Sequence, residues 1–355
     1  MEFLYIILGI FLDRPWQHVF DSFQSWQSNR HWTAVNNAYR DIGHLTGRLE
    51  IVQLGWSAGA FDETHVLIQL DGKYEIPDDV FTDILHPAHE EWMRQGFKDN
   101  LQCGVRDLQI LRTTDNPLQS GPVHEIRILA HTYSYFESKA THFEWLSGCS
   151  HDLLAKYAAN ARHDAYAQKM PTPLSVGLSL FCEDGKTLIL TSRTTSTGAG
   201  GHVAGGQYFN AVSENCAPID AFGEVEGKMG LSIFRTATRG LLEEMGLDLR
   251  QVVGSKPVLH TLCWDKEILD YKFSGYVICP LAAEEVRDYW HHAPDKSENR
   301  EFISQDVNNR EATIRLIQHM QKYRENWSDE ARTCTLMSLL HMKHLTVSDL
   351  IAAIG

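Results

Sequence analysis

Between Leu174 and Leu249 the chain passes through "LSVGLSLF", the turn-forming Glu183-Asp184-Gly185, "KTLILTSR", the glycine-rich loop "TGAGGHVAGGQY" and a helix that ends in "RGLLEEMGLDL". The first two stretches have strand length and composition, and the Asp-Gly pair between them signals a turn. From about Leu231 to Met245, the residues Leu231, Phe234, Ala237, Leu241, Leu242 and Met245 recur at three- and four-residue spacing, which predicts one buried stripe on a helix. A strand pair that leads through a flexible loop into an amphipathic helix requires a fold mixing sheet and helix.

The rest of the sequence extends this pattern. "GRLEIVQLGW" and "THVLIQLDG" read as strands, and Asp71-Gly72 suggests that they are neighbours. "GVRDLQILRT", "VHEIRILAHTYSYF", "KPVLHTLCW" and "LDYKFSGYVIC" read as four more. "HPAHEEWMRQGFKDNL", "AAEEVRDYWHHA" and the region from Arg310 to Ile354 read as helical, as does the aromatic-rich segment from Trp16 to Thr46. With 355 residues, the chain exceeds the roughly 250 to 300 that one core usually supports, so two domains are expected. The alanine-rich helix before "MPTP" places the boundary near residues 165–173, between an α+β domain over 1–165 and a second over 171–355.

Composition narrows the function classes. A formal net charge of −14 offers no field for a phosphate backbone, so duplex nucleic acid is not an expected partner. An acidic protein that handles anionic nucleotides must neutralise them locally. The seven cysteines are scattered without Cys-x-x-Cys spacing and read as free thiols of a reducing compartment, which points to a cytoplasmic location. The apolar run from Phe3 to Leu12 falls short of the ~20 residues a membrane span needs and reads as a buried strand; docking on a membrane or a partner is the alternative. Exposed aromatics such as Trp16, Trp26 and Trp32 leave room for a partner or homo-oligomer surface.

The chemistry concentrates on the helix. Gly240, Glu243 and Glu244 stand at i, i+3 and i+4, so they share one side of it. Two carboxylates there can seat a hard divalent cation, and Arg239, four residues before Glu243, can hold that carboxylate in place. An acidic pair followed by glycine also ends many solvated helices, so spacing alone leaves both readings open.

At these residues the chain resembles the Nudix family, whose helix signature is R-E-U-x-E-E-x-G-U, with U a bulky aliphatic residue. Arg239, Leu241, Glu243, Glu244, Gly246 and Leu247 match, while Gly240 stands where the first helix glutamate belongs. "GGQYFNAVSE", Gly205 to Glu214, resembles the loop that opens the signature, with Glu214 later than the family's spacing puts its acid. "NCAPIDAFGEVEGKMGLSIFRTAT" then separates the two halves by more than the usual distance, which loop-closure entropy tolerates. The resemblance covers approximately Pro173 to Ala293.

It implies an α/β (α+β) fold in which a Nudix-like α/β/α sandwich around a mixed sheet follows the N-terminal α+β domain. It also implies Mg²⁺ or Mn²⁺ held by Glu243, Glu244 and Glu214, with Glu243 and Glu244 catalytic, for cleavage of a pyrophosphate bond in a nucleoside diphosphate-linked substrate. Arg239 and Gly240 would shape the site. Arg193, His202, Gly205 and Gly206 are candidates to cradle phosphate, and Tyr208 or Phe209 to stack on a base. Without the first helix glutamate, two outcomes stand. Either Glu214, with Glu224 or Glu226, supplies the missing ligand to a hydrolase, or the module binds a nucleotide without cutting it and acts as a sensor or regulator. The loop lacks the Lys-Ser/Thr ending of a P-loop, and there is no His-Glu-x-x-His motif.

Overall fold

A computed structural model describes residues 49–55, 60–61, 63–75, 100–113, 123–135, 172–193, 207–252, 255–265, 270–296 and 299–354. The expected strand at Phe3–Leu12, the helices at Trp16–Thr46 and across residues 86–99, and residues 165–171 lie outside them. The fold is α+β, with two mixed sheets and five helices among the described residues.

The larger sheet runs β1 (Leu49–Leu54), β11 (Val258–Asp265), β12 (Asp270–Ile278), β5 (Leu174–Cys182), β6 (Thr187–Arg193) and β13 (Asn299–Asp306). Off this path, β7 (Tyr208–Phe209) pairs with β6, and β8 (Val212–Asn215) pairs with β5. The β12–β5 pair is parallel and its neighbours are antiparallel. Every residue of β5 is buried, as a near-continuous apolar run demands when both sheet faces are covered. The expected turn after it is tight: Glu183, Asp184 and Gly185 all take positive φ.

The smaller sheet runs β3 (Leu101–Thr113), β4 (Val123–Ser134), β2 (Val66–Lys73), β10 (Lys228–Leu231) and β9 (Ala221–Val225). Here the sequence expectation needs correction. β1 and β2 are not neighbours, because β1 pairs with β11 in one sheet and β2 lies between β4 and β10 in the other. Strands from either side of residues 165–171 therefore share both sheets. The acidic connection after Glu214 is also structured: it forms the β9–β10 hairpin, which joins β2.

The helices are α1 (Ile233–Met245), α2 (Ala283–His291), α3 (Arg310–Lys322), α4 (Asp329–His341) and α5 (Val347–Ile354). Alternation along β5 assigns the two faces of the larger sheet. Val176, Leu178 and Leu180 join α1, α2 and the smaller sheet in one core; Phe181 joins α3, α4 and α5 in a second. The eleven residues Glu330 to Leu340 of α4 are all buried, so this helix has no solvent face and lies inside the second core. The six cysteines among the described residues are buried free thiols, as their scatter predicts. No helix among the described residues is long and apolar enough to cross a membrane.

On β4, His131 is 4% exposed between the rings of Tyr74, with centroids 5.3 Å apart, and Tyr133 at 6.4 Å. Burial, aided by the charge of Arg106, lowers its pKa from 6.5 to about 4. Below the ordinary value the unfolded chain binds a proton that the folded chain refuses until the lower one. Stability should therefore fall as pH drops through that window, by up to about 3 kcal/mol from this residue. His260, also fully buried with a lowered pKa, adds to the slope. Urea midpoints at about pH 7 and about pH 4.5 should converge in His131→Phe relative to the native chain; an unchanged gap would show that His131 does not set the slope.

Candidate functional site

Helix α1 begins where Ser232 accepts a hydrogen bond from the Arg235 amide at 3.3 Å. It ends at Gly246, whose φ of 69° forms a left-handed cap open chiefly to glycine. The buried face comprises Ile233, Thr236, Ala237, Gly240, Leu241, Glu244 and Met245. This corrects the expected stripe at two points: Leu231 ends β10, and Leu242 is 42% exposed. The stripe runs instead through Gly240 and Glu244, because α1 crosses β8 there.

Gly240 is explained by that crossing. A Cβ on it would lie 2.6 Å from Val212 Cγ1 and 2.8 Å from Glu214 Cβ. The glycine lets helix and strand touch, and the base of Glu214 fills the space that a side chain at position 240 would need. Glu244 also turns inward: it is 2% exposed and its Oε1 accepts the Ser213 amide at 2.7 Å.

Arg239 organises the remaining acids through four guanidinium hydrogen bonds and one further ion pair. Nε donates to Asp220 Oδ1 at 3.0 Å, and Nη2 to Asp220 Oδ2 at 3.1 Å and to the Asn215 carbonyl at 2.7 Å. Nη1 meets Glu243 Oε2 at 2.9 Å and Glu214 Oε1 at 3.0 Å. Asp220, 2% exposed, is itself fixed by the Ala217 amide at 2.9 Å and the Thr236 hydroxyl at 2.8 Å. Burial works against the Arg239 charge, yet the Asp220 hydrogen bond and the surrounding carboxylates raise its pKa. Glu214 is pushed up to about 7, mainly by burial, with Arg239 pulling the other way.

Asp220 is the participant that sequence reasoning missed. No periodicity or motif marks it; "APID" reads as a connection, and only the fold brings that turn beneath Arg239. Of the expected site residues, Glu214, Arg239, Gly240, Glu243 and Glu244 come together. His202, Gly205 and Gly206 lie outside the described residues, and Arg193 is described only through its backbone, which pairs with Asn299 at the end of β6. Tyr208 packs edge-on against Trp327, with centroids 4.9 Å apart, and Phe209 is buried. Glu226, considered as a compensating acid, pairs with Arg127 at 2.9 Å on the smaller sheet, and Glu224 stands opposite Met229 on that sheet's edge strand.

As held here, the glutamates do not fit a divalent metal. Glu214 and Glu243 converge on one guanidinium nitrogen, Glu244 faces a backbone amide, and position 240 has no side chain to add. Among the described residues no group of three or more His, Cys, Asp or Glu is placed to hold a metal ion. Compared with known protein families and with characterised proteins, the chain matches none.

Proposed function

We propose that the chain carries a Nudix-like module that binds a nucleotide-type diphosphate and acts as a sensor or regulator without cutting it. The resemblance around α1 and the glycine-rich loop leading into β7 and β8 support the ligand class. One observation supports binding over hydrolysis: the Arg239 guanidinium holds Glu214 and Glu243, two of the three carboxylates that a metal would need.

Hydrolysis with Mg²⁺ or Mn²⁺ is the second reading. It is favoured by the placement of Glu243, whose side chain is 33% exposed and joined to Arg239 through a single nitrogen. It requires Glu214 and Glu243 to leave that nitrogen, and Glu244 to leave Ser213.

Calorimetry and turnover assays with ADP-ribose, NAD, nucleoside diphosphate sugars and dinucleoside polyphosphates separate the readings, run with Mg²⁺, Mn²⁺ or a chelator. The proposal expects one of these to bind with an affinity that a chelator leaves unchanged, and no turnover. Metal-dependent turnover that disappears in both Glu243→Gln and Glu244→Gln would overturn it in favour of the hydrolase.

A further inference from the structure

Behind the carboxylate face, on the other side of the larger sheet, lies a second ionic cluster. Lys272 on β12 is 4% exposed. Its Nζ is 2.6 Å from Glu330 Oε2 on α4 and 3.5 Å from Asp270 Oδ2, and it donates to the Ser213 hydroxyl on β8 at 3.2 Å. Glu330 Oε1 accepts from Asn210 Nδ2 at 2.9 Å, and Asp270 accepts from the Ser175 hydroxyl at 2.7 Å. Gly177 makes room: a Cβ there would lie 2.7 Å from Glu330 Oε1 and 2.9 Å from Asn210 Nδ2.

Ions buried at this depth are costly, and well-packed apolar residues would be at least as stable. The arrangement grips both ends of one short segment. Glu330 holds Asn210, and Lys272 holds the hydroxyl of Ser213, whose amide donates through the opposite side of the strand to Glu244. The next residue, Glu214, ends on Arg239.

We propose that Lys272, seated by Glu330, is a positioning residue for the carboxylate face of α1. By anchoring the Ser213 hydroxyl it fixes β8, and β8 in turn sets where Glu214 and Glu244 stand. Two surfaces that share no side chain are thereby linked through one serine, whose hydroxyl bonds Lys272 on β12, itself paired with Glu330 of α4, and whose amide bonds Glu244 of α1. The functional part of this inference rests on the reading that the α1–β8 face serves the bound nucleotide. A geometry held from behind by buried, hydrogen-bonded groups is what a precise binding site requires.

The test uses the full chain with Ser213→Ala, Ser213→Thr and Lys272→Met. Amide hydrogen exchange at residue 213 is followed by NMR without ligand, alongside thermal unfolding and calorimetric affinity for ADP-ribose. Ser213→Ala should speed exchange at residue 213 about tenfold while the amides of Leu178 and Phe273 keep their native protection. It should also weaken ADP-ribose binding about tenfold. Ser213→Thr, which keeps the hydroxyl, should restore both, and Lys272→Met should reproduce the alanine variant. Native exchange at residue 213 in folded Ser213→Ala overturns the proposal, as does faster exchange spread evenly over the larger sheet. If Lys272→Met does not fold, the alanine variant, which removes one hydroxyl, decides. If the native chain fails to bind ADP-ribose while exchange at residue 213 responds as expected, the positioning role stands and the choice of ligand falls.

Discussion

Replacing Arg239 with methionine should cost about 3–5 kcal/mol of folding stability, the usual penalty for removing one partner of a buried ion pair. Asp220 is 2% exposed and receives two guanidinium bonds, so it would be left charged in a dry site with only the Ala217 amide and the Thr236 hydroxyl. Glu214, already pushed up to about 7 by burial, would lose the one nearby charge that lowers it. Adding Asp220→Asn to the methionine variant should recover part of the loss, because the two sites share one network and their effects are not additive. Urea unfolding of the native chain and of the single and double variants measures this. A loss below about 1 kcal/mol would mean that the Arg239 contacts behave like an exposed surface pair.

Gly240→Ala should also destabilise the chain, against the expectation from helix propensity. In an exposed helix interior, alanine would gain roughly 1 kcal/mol over glycine. Here the added Cβ meets Val212 at 2.6 Å and Glu214 at 2.8 Å. Forcing a group into such a contact typically costs about 1–3 kcal/mol, so the sign reverses. Gly240→Glu, which would place at this position the residue type found in the signature the helix resembles, should be worse still, because the longer side chain must displace Glu214 or push β8 from α1. Chemical denaturation ranks the three chains. If the alanine variant equals or exceeds the native chain in stability, α1 does not press on β8 as described. If the glutamate variant is stable and gains metal-dependent turnover of a diphosphate substrate that the native chain does not turn over, Gly240 is what separates the proposed binding module from a hydrolase.

Both expectations turn on a residue whose meaning could not be read from one dimension. That Arg239, Glu243 and Glu244 lie close together on one helix was legible because helical spacing relates residues a turn apart. So was the strand pair β5–β6 with its turn, since apolar runs bounded by Asp-Gly carry a local signal. The β9–β10 hairpin was not: "AFGEVEGKMG" has little apolar alternation, and it becomes a sheet edge only because β2 is there to pair with it. β13, "NREFISQD", is polar for the same reason, lying at the edge of the larger sheet against β6. The expected adjacency of β1 and β2 failed because a turn signal fixes a change of direction and not which sheet the following strand enters. The proposal of Tyr208 and Phe209 as base-stacking residues rested on residue type alone, whereas Tyr208 packs on Trp327, more than a hundred positions away in sequence.

The sequence by itself determined the mixed class of the fold, most of its strands, the span of α1 to within about two residues, and the presence of Arg239, Glu243 and Glu244 on that helix. These follow from local periodicity and from residues that start or stop an element. Tertiary structure alone decided that Gly240 is a contact point and not an open position, that Asp220 completes the Arg239 network, and that Lys272 and Glu330 brace β8 from the far side. Each depends on distances between segments far apart in the chain, and the close approach of helix and sheet sets those distances.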